Sequence, residues 1–294
     1  MEKKIDILMA TYNGEKYVSE QIKSILQQTY KNWTLIIRDD NSDDNTLKIL
    51  YKYQKKDKRI KIINDSMGNL GFVKNFEELL KYSDSDFIMF SDQDDIWYNN
   101  KVEKMYDRIV TENNNIPILV HCNANVCDSN LKLIKKKFIK SIEMKKNNYF
   151  FSFIVQGSSI ILNKNLKIIA LPFLKESYLH DRYLHLLSEL FGKKIFIDEP
   201  LMNYRQHENN QIGSKSNIIN KILKKKYFDL RDRELLSALY NKNYNKLNKE
   251  LRKLIEVYLE ITNININRFK RLYLVNKYGI YMNIKKKIFL ILKG

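Results

Sequence analysis

Three prolines and eight glycines in 294 residues exclude a collagen-like or linker-rich chain. The two cysteines, Cys122 and Cys127, are too few for a disulfide framework, and beside four histidines they show no zinc-cluster spacing. They are expected as reduced thiols in or near the core. No run approaches the roughly 18 apolar residues a bilayer span requires. The opening Met1-Glu2-Lys3-Lys4 leads straight into a short strand-like run and not into an apolar leader. The expectation is a cytoplasmic protein, at most peripheral on the inner face of the cell membrane. Acidic residues are also in deficit, 34 against 52 Lys and Arg.

What is present is a well-supplied core. Hydrophobic residues make up 44% of the chain and aromatics 12%, which excludes a disordered polymer. The formal charge of +18 is uneven. Residues 215–294 hold 20 Lys/Arg against 6 Asp/Glu, a net +14, which leaves +4 for residues 1–214. The expected division is therefore a catalytic-type α/β domain over 1–214 and a basic helical extension over 215–294. Such a tail suits an anionic surface, or is simply a solvated lysine-rich face. Its end, Lys285-Lys286-Lys287 followed by Ile288 to Leu292, fits an interfacial anchor or a helix packed back on the protein.

Residues 1–111 alternate between two periodicities. Strands are expected at Ile5–Ala10, Trp33–Arg38, Ile60–Ile63 and Phe87–Phe90, with helices at Gly14–Gln28, Asn45–Tyr53, Phe72–Lys81 and Lys101–Thr111. This order predicts a mostly parallel sheet covered on both faces. Beyond it, strands are expected at Ile116–His121 and Ser158–Leu162, and a strand pair at Lys194–Ile197 and Leu201–Tyr204. A polar mobile loop is expected over Lys132–Asn148, a helix over Asp181–Phe191, and a helical pattern from Ile218 onward with no Gly or Pro until Gly279.

In a parallel α/β sheet, ligands bind beyond the carboxyl ends of the strands. Here those ends carry Thr11-Tyr12-Asn13, Asp39-Asp40-Asn41-Ser42, Asn64-Asp65 and Asp92-Gln93-Asp94-Asp95. Each cluster alone suits a turn or a helix cap. Four on one rim suit a site. Asp92 and Asp94 sit at i and i+2 of an extended segment, so both can face one hard cation.

The segments Ile7-Leu8-Met9-Ala10-Thr11-Tyr12-Asn13-Gly14, Arg38 to Thr46, Asn69-Leu70-Gly71-Phe72 and Ser91-Asp92-Gln93-Asp94-Asp95-Ile96-Trp97 together resemble the family 2 inverting glycosyltransferases. Gln156-Gly157-Ser158-Ser159, His180-Asp181 and Tyr204-Arg205-Gln206-His207 continue the likeness, whose wording is similar to the rhamnosyltransferase subgroup. The resemblance covers residues 4 to 213. It implies the GT-A fold, an α/β nucleotide-sugar-binding sandwich, with a dTDP- or UDP-linked donor, a divalent Mg²⁺ or Mn²⁺, and a surface-polysaccharide or lipid-linked saccharide acceptor.

It also implies roles. Asp94, with Asp92 and His207, would hold the cation that neutralises the leaving diphosphate. Thr11, Tyr12, Asn13, Asp39, Asp40, Asn69, Asp92, Gln93 and Arg205 would bind the nucleotide end of the donor. A carboxylate of Asp39 or Asp40 can accept the imide N–H of a pyrimidine. Asp95, Trp97, Gly157, Ser158 and His180 would contact sugar or acceptor, and Asp181 would be the general base that inversion requires. Read without the family, Asp181 is equally a helix cap, Trp97 a structural residue and Arg205 with His207 a pair on an edge strand. Two rival classes share parts of the pattern. A nucleotidyltransferase also uses paired aspartates, but Gly14 stands alone where a Gly-rich phosphate loop would be. A basic membrane- or nucleic-acid-binding module would explain the charge, but no RNA- or DNA-reading motif is present, and no nucleic-acid partner is expected.

Overall fold

The computed structural model describes residues 2–139, 155–207, 230–263 and 265–280. By their contacts these separate into two compact units. The first holds 2–139, 155–173 and 179–207, and the second holds 174–178, 230–263 and 265–280.

The first unit is built on a nine-stranded sheet. Its first half is β1 (Ile5–Thr11), α1 (Val18–Leu26), β2 (Trp33–Asp39), α2 (Thr46–Lys56), β3 (Ile60–Ile62), α3 (Phe72–Tyr82) and β4 (Phe87–Ser91). Then follow β5 (Ile96–Trp97), α4 (Lys101–Val110), β6 (Ile118–Cys127), β7 (Leu133–Lys135), a one-turn helix at Gly157–Ser159, β8 (Ile160–Asn163), α5 (Lys164–Ala170), α6 (His180–Phe191) and β9 (Lys193–Arg205). The strand order is β3-β2-β1-β4-β8-β6-β9-β5, with β7 beside β6. Strands β1, β2, β3, β4, β6 and β9 point one way; β5, β7 and β8 run against them.

The core follows the pleat. Ile5, Ile7 and Met9 alternate onto one face, where Val18, Ile22 and Ile25 of α1, Leu50 of α2 and Val102, Met105 and Ile109 of α4 meet them. The opposite face is covered by α3, whose Phe76 ring meets Phe90 of β4 edge-on at 5.5 Å. At the α6–β9 junction Gly192 is required by close approach, because a Cβ there would lie 1.8 Å from the Pro117 carbonyl oxygen.

Several boundaries differ from the sequence reading. Helix α1 starts at Val18 and not Gly14, because residues 13–15 are spent lacing two loops together. Gly14 N–H donates to Thr46 Oγ1 (2.8 Å), Glu15 N–H to Asp44 Oδ2 (3.1 Å), and Asn45 N–H to Glu15 Oε2 (2.9 Å). The expected strand pair over 194–204 is one strand, β9. Pro200 does not break it; the register against β6 jumps from Cys122↔Ile197 to Asn123↔Pro200, so the strand bulges and continues. Part of the expected loop over 132–148 is β7, and residues 140–148 lie outside the described residues. Helix α5, which the sequence reading lacks, is capped by Asn163, whose Oδ1 accepts from Leu166 N–H at 3.1 Å.

In the second unit, α7 (Leu230–Asn243), α8 (Lys249–Ile261) and α9 (Arg268–Lys277) form the described helices. Asparagine punctuates them where Gly and Pro are missing. Asn248 Oδ1 accepts from Leu251 N–H and Asn267 Oδ1 from Phe269 N–H. The Lys285–Leu292 tail lies outside the described residues. No described helix is long and apolar enough to cross a membrane.

Candidate active site

The carboxyl ends of β1, β2 and β4 form one rim of the first unit. The Gly157–Ser159 turn reaches the same rim because β8 runs antiparallel to β4, and the start of α6 and the end of β9 complete it.

At the β1–β2 end the polar side chains bind one another. Thr11 hydroxyl donates to Asp39 Oδ1 (2.7 Å), as does Ser42 hydroxyl (2.7 Å), while Ser42 N–H donates to Asp39 Oδ2 (2.8 Å). Asp39 remains partly exposed, and a carboxylate has about four acceptor sites, so capacity remains for a further donor. Asp40 is buried, with its carboxylate turned to the protein. It accepts from Arg38 Nη1, Leu70 N–H and Gly71 N–H, each at 2.8 Å. Asn69 caps this arrangement by donating to the Asp40 carbonyl (2.9 Å). The sequence reading gave Arg38 no role, yet its buried guanidinium also donates to Asp65 (2.8 and 3.1 Å) and to the Gly68 carbonyl (3.0 Å). A buried fork of this kind is held by its geometry. Asn13, with φ of 47°, turns its backbone toward Ser42 (2.9 Å) and its Oδ1 toward Asp43 N–H (2.9 Å).

Between β1 and β4, the Gln93 amide accepts from Tyr12 N–H and donates to Tyr12 C=O, both at 2.9 Å. The Tyr12 side chain is exposed.

The acidic segment itself is held from behind. Arg205, expected at a donor phosphate, is 3% exposed and held at all three nitrogens: Nε donates to the Asp94 carbonyl (2.8 Å), Nη1 to the Ser129 carbonyl (2.8 Å), and Nη2 pairs with Glu20. Its backbone N–H donates to Asp95 Oδ1 (3.2 Å). The structure therefore corrects that expectation: the guanidinium is buried, and each of its three nitrogens donates to a protein acceptor brought from a distant element. Tyr17 supports the same corner, 4.5 Å below the Arg205 guanidinium and 4.7 Å from the His207 ring.

Asp94 and His207, 113 positions apart, meet with Oδ2 and Nε2 2.8 Å from each other. Asp95 is fully buried, and its Oδ2 makes no hydrogen bond among the described residues. Burial and the Asp94 charge push its carboxyl up to about 7. Asp92 is pushed well above the carboxylate range by burial and by Asp95, Asp94 and Asp181. Several carboxyl groups thus converge here, partly opposed by Lys101 beside Asp95. Among the described residues no group of three His, Cys, Asp or Glu forms a metal cage. The Asp94 carboxylate is an oxygen ligand of the kind Mg²⁺ or Mn²⁺ accepts beside diphosphate and water, and the His207 imidazole adds a nitrogen donor that can ligate a divalent metal.

Asp181 lies in the first turn of α6, 8% exposed. Its Oδ2 accepts from Gly157 N–H (3.1 Å) and its Oδ1 from Arg182 N–H (2.7 Å). Burial raises its carboxyl to about 7. Ser158 is buried beside Asp92 and Asp95, where its hydroxyl moderates their shifts.

Two expected contacts are corrected. Trp97, expected against a sugar, is 1% exposed in the core, because β5 pairs with Met202 of β9 and turns the indole inward. The His180 ring packs among Phe76 (4.1 Å), Phe90 (5.3 Å) and Phe72 (6.4 Å), with neither nitrogen hydrogen-bonded among the described residues. Burial lowers it to about 3, so it is a neutral packing group. Gly157 permits this, since a Cβ there would lie 2.5 Å from His180 Nε2. Lys101, a surface residue by type, is buried against Trp97 and Ser158. One signal was visible: a lysine opening a helix opposes the helix dipole.

Residues 6–167 match the family model described as Glycosyl transferase family 2. Among curated proteins, the chain is 36% identical over 223 residues to the dTDP-rhamnosyl transferase RfbG of Shigella flexneri, covering 70% of this chain and 74% of that one. It is 33% identical over 177 residues to WfgD of Escherichia coli, a UDP-Glc:alpha-D-GlcNAc-diphosphoundecaprenol beta-1,3-glucosyltransferase, covering 59% of this chain and 66% of that one. Among solved structures, S. aureus TarS 1-349 in complex with UDP-GlcNAc superposes with a TM-score of 0.65 at 16% identity, over 98% of this chain and 79% of that one. The mixed α/β sheet with its covering helices is the GT-A fold of these neighbours, and the chain belongs to glycosyl transferase family 2.

Proposed function

We propose that this glycosyltransferase is an inverting enzyme that moves a sugar, with rhamnose the favoured one, from a dTDP- or UDP-linked donor to a lipid-linked or surface-polysaccharide saccharide. The observation that carries the reading is Asp181: a buried carboxyl raised to about 7, on the same rim as the Asp94–His207 pair. Such a group is a base near neutral pH, able to take the acceptor hydroxyl proton as the oxygen attacks. Asp94 and His207 would hold Mg²⁺ or Mn²⁺, with Asp92 beside them. When bound, the cation neutralises the charge that develops on the leaving diphosphate. Asp39, partly exposed, has capacity to accept a pyrimidine imide N–H, while the buried Asp40 shapes the Asn69–Gly71 backbone next to it. The Shigella relative's dTDP-rhamnose chemistry and the E. coli relative's diphosphoundecaprenol acceptor support the choice of donor and acceptor class.

A thermal-shift screen tests the donor class. With Mn²⁺ present, a dTDP- or UDP-sugar at a hundredfold excess over its Kd should stabilise by about 2.7 kcal/mol. In a protein of 294 residues that is roughly 4 °C in Tm. GDP-mannose should give no shift. Equal shifts with GDP- and pyrimidine-linked sugars, or none with either, would remove the donor assignment.

A peripheral membrane contact fits the second unit. On α9, Phe269 (72% exposed) and Tyr273 (59% exposed) stand one turn apart beside the exposed Arg268, Lys270 and Lys277. Aromatic and basic groups together suit an anionic lipid interface. The full-length protein should co-sediment with vesicles of about 30% phosphatidylglycerol at low salt and dissociate at about 0.5 M NaCl. Failure to bind at low salt would discard this part of the reading.

A further inference from the structure

Lys101 is the first residue of α4 and is fully buried. A buried ammonium at the positive end of a helix is disfavoured twice, by lost hydration and by the dipole. Its Nζ is nonetheless held in a defined place. It donates to the Ser158 carbonyl at 2.5 Å, lies 3.3 Å from Met202 Sδ and stands 3.7 Å from the centre of the Trp97 ring. Burial lowers it to about 8, and the negative charges of Asp95 and Asp92 help retain its proton.

The carbonyl it holds belongs to the Gly157–Ser159 turn. That turn meets Asp181 on its other side, where Gly157 N–H donates to Oδ2 at 3.1 Å. The turn is internally braced by Ser159, whose N–H and hydroxyl both donate to the Gln156 carbonyl, at 2.9 and 2.6 Å. A shift at Ser158 is therefore passed to Gly157 and on to the Asp181 carboxylate. We propose that Lys101 is a positioning residue for sugar transfer: by holding the Ser158 carbonyl it fixes the turn whose Gly157 amide aims Asp181. This rests on the reading of Asp181 as the base. It gives a role to a lysine at a position where a leucine would cost less to bury. A misplacement of about 1 Å at a catalytic group can cost on the order of a hundredfold in rate, so the grip has a functional return.

Lys101→Met keeps nearly the same volume and removes the donor. Its kcat for transfer should fall about 30-fold or more, with donor KM within about threefold of wild type. The calorimetric Kd for UDP or dTDP with Mn²⁺ should also stay within about threefold. Hydrogen exchange in a peptide spanning residues 155–163 should quicken about tenfold. Lys101→Gln, which retains a shorter N–H donor, should lose less. A kcat for Lys101→Met within threefold of wild type overturns the proposal, as does a nucleotide Kd that weakens as much as kcat falls. If Lys101→Met does not fold, Lys101→Leu, which also lacks the donor and costs less to bury, decides in its place: reduced kcat at unchanged nucleotide Kd supports the proposal, and unchanged kcat overturns it. If wild-type protein transfers sugar from no nucleotide donor, the transfer reading has failed; unchanged exchange in the 155–163 peptide would independently show that Lys101 does not hold the turn.

Discussion

Asp181→Asn should lower kcat for sugar transfer by about 10²- to 10⁴-fold, the range a positioned general base supplies, while nucleotide affinity in the presence of Mn²⁺ stays nearly unchanged. In the wild type, activity should rise with pH through about 7, because the Asp181 carboxyl must lose its proton to act. The stability signature runs the other way. The folded protein holds this proton up to about 7, whereas the unfolded chain releases it near pH 4. Between those values the native state binds more protons, so this group's contribution declines as pH rises. As an upper bound the loss is on the order of 4 kcal/mol by pH 8. The Asn variant escapes it, but it also sets an amide donor against either the Arg182 or the Gly157 N–H, which returns roughly 1 kcal/mol. Chemical denaturation at pH 5 and pH 8 should therefore show a smaller decline for Asp181→Asn than for wild type. Full transfer activity in the variant would end the base assignment.

Asp94→Ala and His207→Ala should each abolish the part of donor binding that depends on the metal. At saturating wild-type conditions, nucleotide-sugar Kd should weaken by about 10- to 100-fold, and adding Mn²⁺ should no longer improve it. The two effects should be far from additive, since the side chains meet at 2.8 Å and would serve one ion. Calorimetric titration of UDP or dTDP with and without Mn²⁺ reads this directly. Metal-dependent binding that survives in both single variants would move the cation elsewhere on the rim.

The rim itself was legible because periodicity alone decides it. Strands that alternate with helices must send their carboxyl ends to one edge, so Thr11, Asp39 and Asp92 had to be neighbours before any contact was known. The pairing of Asp94 with His207 was legible only through the family's motif order, because nothing local to either residue encodes a contact across 113 positions. The misplacements share one cause. Arg205, Trp97 and His180 each look suited to a ligand, but their partners come from several elements at once: Glu20, Ser129 and Asp94 for Arg205; β9 for Trp97; Phe72, Phe76 and Phe90 for His180. A residue's chemistry is local, whereas the claim on its donors and acceptors is tertiary. Lys101 is the same lesson reversed, an ordinary surface residue by type that three elements enclose.

The Gln93 amide has a structural consequence of its own. Ladder pairing between β1 and β4 stops at Met9↔Ser91, and beyond it the strand tips are joined by a side chain that imitates a backbone rung. The gap between the β1 tip at Thr11–Asn13 and the acidic β4 tip at Asp92–Asp94 is thus gauged by the length of one removable spacer. One methylene more or fewer at position 93 would reset that gap while both strands remain paired, so the spacing of the two tips is adjustable without touching the sheet.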